Sequence, residues 1–319
     1  MRFIITGGTG LIGRALTSSL AADGHEVIIL GRNPARATGL PAGVRIEGWD
    51  GCTATGWGNL VEGTDGIINL ASENIAGDSW LSIRWSKERK KRILDSRINA
   101  GNAVSEAIRF ARKKPKVLIQ PSAVGYYGTQ NADIELTEDS PHGSDYLSQV
   151  CQLWESANQE VEALGVRRVV LRTGVVLSTQ GGSLPRQMLP FKMFVGGPIG
   201  NGRQWLSWIH IADVIGSIRF LLEKEYACGA VNLTSPQPLT NAEFGHVLGR
   251  VMKRPAFLPI PGFFFKIIFG EVATILLEGQ RVIPKHLLEM GYQFKFPDAE
   301  LALKDLLLTQ GSFKIAKEV

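Results

Sequence analysis

The sequence predicts an α/β fold, a doubly wound parallel sheet followed by a smaller C-terminal region. Three observations carry that expectation. Short apolar runs alternate with amphipathic helical patterns through the first half of the chain, as parallel strands joined by crossover helices require. A glycine-rich turn, Thr6-Gly7-Gly8-Thr9-Gly10-Leu11-Ile12-Gly13, joins the first run to the first helical pattern. From about Gly181 the texture changes: glycine, proline and aromatic residues become frequent (Gly196-Gly197-Pro198, Pro255, Pro259, Pro261), and the alternation breaks down.

Taken in order, strands are expected at residues 2–6, 26–30, 45–47, 66–70, 117–120 and 168–172. Most are runs of Val, Ile and Leu, the composition of strands buried on both faces. Helical patterns fit residues 11–22, about 85–112 and 146–164. In the long one, Leu94, Ile98, Gly101, Ser105 and Ile108 recur at helical spacing and give one small-to-apolar face. The chain carries no internal repeat and no low-complexity tract.

At 319 residues there is room for one large α/β domain and a smaller appended one. Hydrophobic residues at 44% and charged residues at 20% are ordinary for a globular chain. The net charge of +5 is mild and its basic residues are scattered. The densest run, Lys87-Glu88-Arg89-Lys90-Lys91-Arg92, is broken by a carboxylate and reads as a solvated helix face. Without a larger basic surface or a recognised module, no nucleic-acid partner is expected. Cys52, Cys151 and Cys228 are far apart, with no CxxC pair, so no metal site is expected. Reduced thiols in a cytoplasmic compartment follow from the same spacing. The chain opens on a strand pattern, so no cleavable signal peptide is expected. Its most apolar stretch, residues 257–277, is interrupted by Pro259, Pro261, Lys266 and Glu271. A bilayer span takes about 20 predominantly apolar residues, so this stretch reads as a buried C-terminal helix, with no membrane partner.

The glycine turn carries the chemistry. It follows a strand at once and opens a helix, the context in which such a pattern binds a dinucleotide. Gly7 permits the tight turn, Gly10 lets the backbone approach a pyrophosphate, and Gly13 lets the helix pack on the strand. Thr9, Leu11 and Ile12 complete the loop, and the helix N-terminus offers its free N–H groups to phosphate. The sheet is therefore expected to be of Rossmann type, with the region after Gly181 on its substrate side. The second strand ends at Gly31-Arg32-Asn33, where an NAD-preferring site has Asp or Glu for the ribose 2′-hydroxyl. Arg32 can instead pair with a 2′-phosphate, which favours NADP(H) over NAD(H), with NAD(H) kept as the alternative. Asn69-Leu70-Ala71-Ser72 ends the fourth strand at the carboxyl edge, where ligands of such sheets lie. Leu70 and Ala71 serve equally as core residues.

Four segments come in the order seen in extended short-chain dehydrogenases/reductases. They are the opening loop, Asn69-Leu70-Ala71, Ser122-Ala123-Val124-Gly125-Tyr126-Tyr127-Gly128 and Leu171-Arg172-Thr173-Gly174-Val175-Val176. Further on, Gly196-Gly197-Pro198-Ile199-Gly200-Asn201-Gly202-Arg203-Gln204, Ser207-Trp208-Ile209-His210-Ile211-Ala212-Asp213, Leu276-Leu277-Glu278-Gly279-Gln280-Arg281-Val282 and Pro284-Lys285 narrow the match. Together they resemble the atypical subgroup called "epimerase family protein", related to nucleotide-sugar epimerases. The resemblance covers nearly the whole chain. It implies an NAD(P)-binding epimerase/dehydratase-like unit over 1–235, with substrate-side insertions from about 181, and a small helical C-terminal domain over 236–319. It also implies NADP contacts at Gly31, Arg32, Leu70, Ala71 and Arg97, and at Arg92, Ser122 and Val176.

The pattern breaks where the acid/base chemistry belongs. Relatives of the usual kind carry a Ser or Thr three residues before the Val-Tyr-Gly turn; here that place holds Ala123, with Ser122 one residue early. They also carry Tyr-x-x-x-Lys, whose lysine lowers the tyrosine pKa. Here Tyr146 is followed four residues later by Val150, and alignment on Glu155 puts Leu147 and Cys151 at the two positions. Neither register gives the pair. Ser122, Tyr126, Tyr127 and Tyr146 remain catalytic candidates, although a buried tyrosine is usually bonded to backbone. Cys151 has no His or Lys beside it in sequence to depress its pKa. Asp213 reads as a helix cap rather than a catalyst, and His142 as solvated. Arg203, Gln204, Trp205 and Trp208 are candidate substrate-pocket residues. The sequence thus points to an NADP(H)-dependent oxidoreductase or epimerase-like enzyme with a non-standard acid/base group, acting on a small molecule. Its rival is a non-catalytic module that responds to dinucleotide occupancy.

Overall fold

The computed structural model describes residues 1–36, 39–75, 84–129 and 133–309. Its first half builds most of one sheet, completed by two later strands. Strand β1 (Arg2–Thr6) leads through the glycine turn into helix α1 (Leu11–Ala22) and then β2 (Glu26–Gly31), β3 (Val44–Gly48) and β4 (Gly66–Asn69). Helix α2 (Lys87–Phe110), β5 (Val117–Ala123), the short β6 (Glu135–Leu136), α3 (Tyr146–Ser156) and β7 (Arg167–Thr173) follow. Next come β8 (Val175–Leu177), α4 (Leu184–Lys192), β9 (Trp205–Leu206), β10 (Trp208–His210), α5 (Ile211–Glu223) and β11 (Gly229–Leu233).

The seven long strands lie in the order β11-β7-β5-β4-β1-β2-β3, and every pairing is parallel. The chain runs outward from β1 through β2 to β3, then crosses back to β4 on the other side of β1, and at this reversal a crevice opens at the carboxyl ends of β1 and β4. Successive residues face opposite layers, as strand geometry demands. Phe3 and Ile5 join a core with Leu16, Leu20 and Val214 of α1 and α5, whereas Ile4 joins Ala100, Val104 and Ile108 of α2 on the other side.

The expected strands are all present, with ends shifted by up to three residues; β4 stops at Asn69, before Leu70. The expected third helix ends at Ser156 and continues, after a break, as a 3-10 turn at Gln159–Leu164. The expected face of α2 needs correcting. Ile93, Arg97, Ala100, Val104 and Ala107 lead the buried side with Gly101, Ser105 and Ile108, while Leu94 and Ile98 are only partly covered. Nor is the basic run wholly solvated: Arg89 is buried and donates to the Asn74 carbonyl at 2.8 Å.

Beyond β7 the chain turns to short ladders, β8 with β10, β9 with β12 (Leu239–Thr240), and β6 with β13 (Arg281–Val282). It also re-crosses to the main sheet, where α5 packs on α1 and β11 closes the edge beside β7. Helix α6 (Asn241–Met252), opened by a Thr240/Glu243 capping box, packs with α4 and α10 (Ala299–Lys304) around Leu184, Phe191, Phe244, Leu248 and Leu303. Asp213 caps nothing on its own helix. His210 caps α5, accepting from Ala212 N–H at 3.0 Å, while the Asp213 carboxylate accepts from Lys295 and Phe296 N–H at 2.7 and 2.9 Å. A buried carboxylate satisfied by backbone donors thus ties the C-terminal segment to the main sheet.

The apolar stretch at 257–277 does not form a buried helix. It breaks into α7 (Gly262–Phe269) and α8 (Thr274–Leu277), and most of the apolar side chains of α7 face outward. Among the described residues no helix is long and apolar enough to cross a membrane. A last short helix, α9 (Lys285–Glu289), packs against β11. Residues 310–319 of the expected C-terminal domain lie outside the described residues.

Candidate functional site

The glycine turn is built as its spacing predicts, each glycine for a different reason. Gly7 has φ +65°, and a Cβ there would stand 2.7 Å from the Leu70 carbonyl carbon and 2.9 Å from Ala71 N. A Cβ on Gly13 would overlap the Gly7 carbonyl oxygen and come within 2.6 Å of Gly8 Cα. Gly10 differs: its Cβ would touch only Gly7 O, at 3.3 Å. Its N–H closes the turn on Gly7 O at 3.0 Å, and no side chain caps α1. Gly8, which the sequence pattern did not single out, is tight as well, 2.7 Å from the Ile29 side chain.

A polar ladder fixes the neighbouring strand ends. Thr6 Oγ1 donates to Asn69 Oδ1 at 2.7 Å and accepts from Ala71 N–H at 3.0 Å. Asn69 Nδ2 donates to Gln120 Oε1 at 3.0 Å. All three side chains are buried, so the ladder locks β1, β4 and β5 in register and holds the Leu70–Ala71 backbone against Gly7.

A cavity of about 310 Å³ lies over these ends. Gly7, Gly10, Leu11, Ile12, Gly13, Leu70, Ser122 and Val176 line it, so eight of the residues picked from the sequence come together. Ser72, Pro121, Trp154 and Thr173 line it too. Three of these adjoin or fall within motifs read from the sequence; Trp154 sits on α3 with no local signal to mark it. Thr9, Gly31, Arg32, Ala71, Arg92 and Arg97 are not in the wall. Thr9 and Arg32 are exposed, and Arg32 follows the carboxyl end of β2, at the rim of the crevice. Arg92 is exposed, 3.8 Å from Glu73. Arg97 is buried behind the wall, its guanidinium 4.6 Å over the Trp154 ring and its Nη1 donating to Ile93 O at 2.8 Å. Burial lowers its pKa to about 10, so it stays a cation at neutral pH.

Among the catalytic candidates, Ser122 alone faces the cavity. Its hydroxyl donates to Glu155 Oε1 at 2.7 Å, and Arg172 holds that carboxylate through Nε and Nη2, both at 3.0 Å. With its proton committed to Glu155, the serine oxygen is left with lone pairs to accept from a ligand.

The phenols are engaged elsewhere. Tyr127 is fully buried, donates to Asn232 Oδ1 at 2.7 Å and accepts from Arg172 Nη1 at 3.1 Å. Burial pushes it up to about 12. Tyr126 lies under the Arg172 guanidinium, 3.4 Å from its ring centroid. Tyr146 donates to the Lys90 carbonyl at 3.1 Å, and burial raises its pKa despite nearby Arg97. Cys151 is buried against the Ala123 carbonyl, and burial raises its thiol to about 12. His142 is exposed, as expected.

The candidate substrate residues divide. Trp208 is fully buried in the third core and donates to Gln237 O at 3.0 Å, so it is structural. Gln204 splints Ile199 O and Leu276 O at 3.0 and 2.9 Å. Trp205 stacks with Arg281 at 4.8 Å, and Arg203 is exposed. None of the four lines the cavity.

Comparison with known proteins agrees with this geometry. Residues 3–233 match the NAD dependent epimerase/dehydratase family, and residues 260–306 match a C-terminal domain of unknown function (DUF1731). The chain is 42% identical to epimerase family protein YfhF of Bacillus subtilis over 308 residues, covering 96% of this chain and 98% of that one. A crystal structure of human epimerase family protein SDR39U1 (isoform2) with NADPH superposes with a TM-score of 0.85 at 38% identity, over 96% and 99% of the two chains. The UDP-glucose 4-epimerase of Thermus thermophilus in complex with NAD shares the fold, with a TM-score of 0.71 at 18% identity over 96% and 99%.

Proposed function

The chain belongs to the NAD dependent epimerase/dehydratase family, and from that premise we propose that it is an NADP(H)-dependent oxidoreductase or epimerase-like enzyme whose acid/base group is not the usual tyrosine. The observation that carries this reading is the shape of the glycine turn. Gly7 and Gly13 are filled by the fold itself, whereas the space at Gly10 stays open toward the cavity, where a pyrophosphate would lie. The backbone N–H groups at the start of α1 would hold its charge. Leu70 and Ala71 would cover the adenine-ribose side, and Gly31 and Arg32 would receive the 2′-phosphate. The related human protein carries NADPH, which supports the same choice. Arg97, Arg92 and Val176 would complete the cofactor's surroundings, Arg97 by bracing Trp154 from behind.

When bound, the nicotinamide supplies hydride transfer to or from a small-molecule substrate. The protein's part is the proton. Ser122 would accept a hydrogen bond from the substrate hydroxyl, take its proton and hand its own to the Glu155 carboxylate, which Arg172 orients. NADPH absorbance on addition of pooled metabolites tests the reading. The wild type should consume NADPH, and Ser122→Ala should lower the rate about 10²-fold, the lower end for general acid–base help, a larger effect than any on NADPH affinity. Constant absorbance in the wild type would exclude a net reductase and leave a redox-neutral epimerase, detected by product analysis, or a dinucleotide-responsive module with the same cavity.

Cofactor choice has its own test. Arg32→Ala should weaken NADPH by about 1.5–3 kcal/mol, the range for a hydrogen bond to a charged group, and change NADH far less. Fluorescence titration with both cofactors measures it. Equal losses, or a wild type that prefers NADH, would remove Arg32 from the 2′-phosphate.

A further inference from the structure

Helix α7 wears its apolar side outward. Phe263, Phe264, Ile267 and Ile268 are 56%, 48%, 63% and 56% exposed, whereas Phe269 is buried and Phe265 stacks on it. At helical spacing the four exposed positions fall on one side, so they form a face and not a scatter. Single exposed hydrophobics need no explanation, but a contiguous group of this kind marks a contact surface.

A second exposed apolar group lies on the stretch that leads into the helix. Leu258 N–H donates to Gly196 O at 3.1 Å, Ile260 N–H to Pro198 O at 3.0 Å, and Gly200 N–H to Ile260 O at 2.8 Å. This lacing sets the exposed Phe194 and Val195 beside Phe257 and Leu258, of which Phe257 is 76% exposed. Phe194 is held at φ +62° and Lys253 at φ +53°, the only non-glycine residues with positive φ among those described. Such backbone is uncommon outside glycine. The Arg254 guanidinium lies 4.4 Å from the Phe194 ring centroid.

Charge decides the partner. Residues 184–206 and 244–270 contain no Asp or Glu, yet they carry Arg186, Lys192, Arg203, Arg250, Lys253, Arg254 and Lys266. Arg250 is committed to Glu300 at 3.0 Å. Lys266 lies on α7 itself and Arg254 over the Phe194 ring, while Glu271 just past the helix is paired with Lys90, so the charge beside the apolar face is mainly positive. Two copies meeting through it would bring like charges together, which argues against self-association. Aromatic and aliphatic side chains ringed by Lys and Arg suit the headgroup boundary of an anionic membrane, where the rings enter the acyl edge and the cations meet phosphates.

We propose that this face docks the protein peripherally on an anionic lipid bilayer, through α7, Phe194 and Phe257, with no segment crossing it. Co-sedimentation with sucrose-loaded vesicles tests this on the full chain, comparing pure phosphatidylcholine with a mixture containing one-third phosphatidylserine. Binding to the mixed vesicles should be at least about tenfold stronger than to the neutral ones and should fall with added salt. The double variant Phe263→Ser/Ile267→Ser should lose at least about tenfold, because burying even one such side chain is worth that factor. Its melting temperature and NADPH affinity should not change, since both side chains point away from the core. Lys253→Glu/Arg254→Glu should weaken binding to the mixed vesicles alone. Absence of vesicle binding, or equal binding to both compositions, overturns the proposal. So does wild-type binding by the serine variant, which would show a contact made by the cations without the apolar face. A dimer in solution that the serine variant dissolves would assign the face to a second copy instead.

Discussion

Gly10→Val is expected to leave a folded protein that binds no measurable NADPH. The reason is the asymmetry among the three glycines. A side chain at Gly10 meets only the Gly7 carbonyl oxygen at 3.3 Å, a contact that a few tenths of an ångström relieve. Its branches would then project into the cavity that Leu11, Ile12 and Ser122 also line, where a pyrophosphate would lie against the turn. Gly13→Val is the contrasting control. There the Cβ collides with the backbone of Gly7 and Gly8, so the turn must open and α1 must leave its strand. Overpacking of that kind typically costs about 1–3 kcal/mol, sometimes more, and it falls on stability. Circular dichroism and thermal melts should therefore separate the two variants, Gly10→Val melting near wild type and Gly13→Val lower. NADPH titration completes the test. Unchanged affinity in a folded Gly10→Val protein would take the turn out of the site.

The contrast also shows what could be read from the sequence. The first β-α unit was legible because strand, turn and helix agree: Arg2–Thr6 and Leu11–Ala22 are found with the expected bounds. Local periodicity and glycine sterics settle such a unit without help from distant residues. Side chains whose environment comes from afar were not legible. Arg89 sits in a run of charges that reads as solvent-facing, but a carbonyl from the loop after β4 draws it inward. Asp213 looked like a cap, yet its partners lie more than eighty residues on, at Lys295 and Phe296. Trp208 has the look of a pocket residue and is core, because α6 and α10 close over it. The apolar run at α7 reads as buried, but the helix ends at Phe269, where a 3-10 turn begins at Gly270, and four of its apolar side chains stay exposed. At the site, Ser122 was visible in its motif, while Glu155 and Arg172 gained their meaning only when β5, α3 and β7 came together.

Little or no turnover is expected with UDP-glucose and similar substrates of the usual nucleotide-sugar epimerases. A phenol titrates near 10 when free, so it acts as a base at neutral pH only where a cation lowers that value. In this chain the environment does the reverse. Burial takes Tyr127 to about 12 and raises Tyr146, and both hydroxyls already donate, to Asn232 Oδ1 and to the Lys90 carbonyl. The lysine position of the usual pair holds Val150 or Cys151, both buried, and the Cys151 thiol at about 12 stays neutral. The nearby cations are engaged: Arg97 is turned onto Trp154, Arg172 holds Glu155, and Lys90, over the Tyr146 ring, pairs with Glu271. Ala123 removes the second hydroxyl. General acid–base help is typically worth about 10²–10⁴ in rate, and groups that act as a unit do not multiply their losses. A deficit of that size against an ordinary epimerase is therefore expected, assayed side by side with NAD and NADP. Turnover within about tenfold of the control would show that a phenol here is activated after all, and Tyr146 beside Arg97 would be the first to replace.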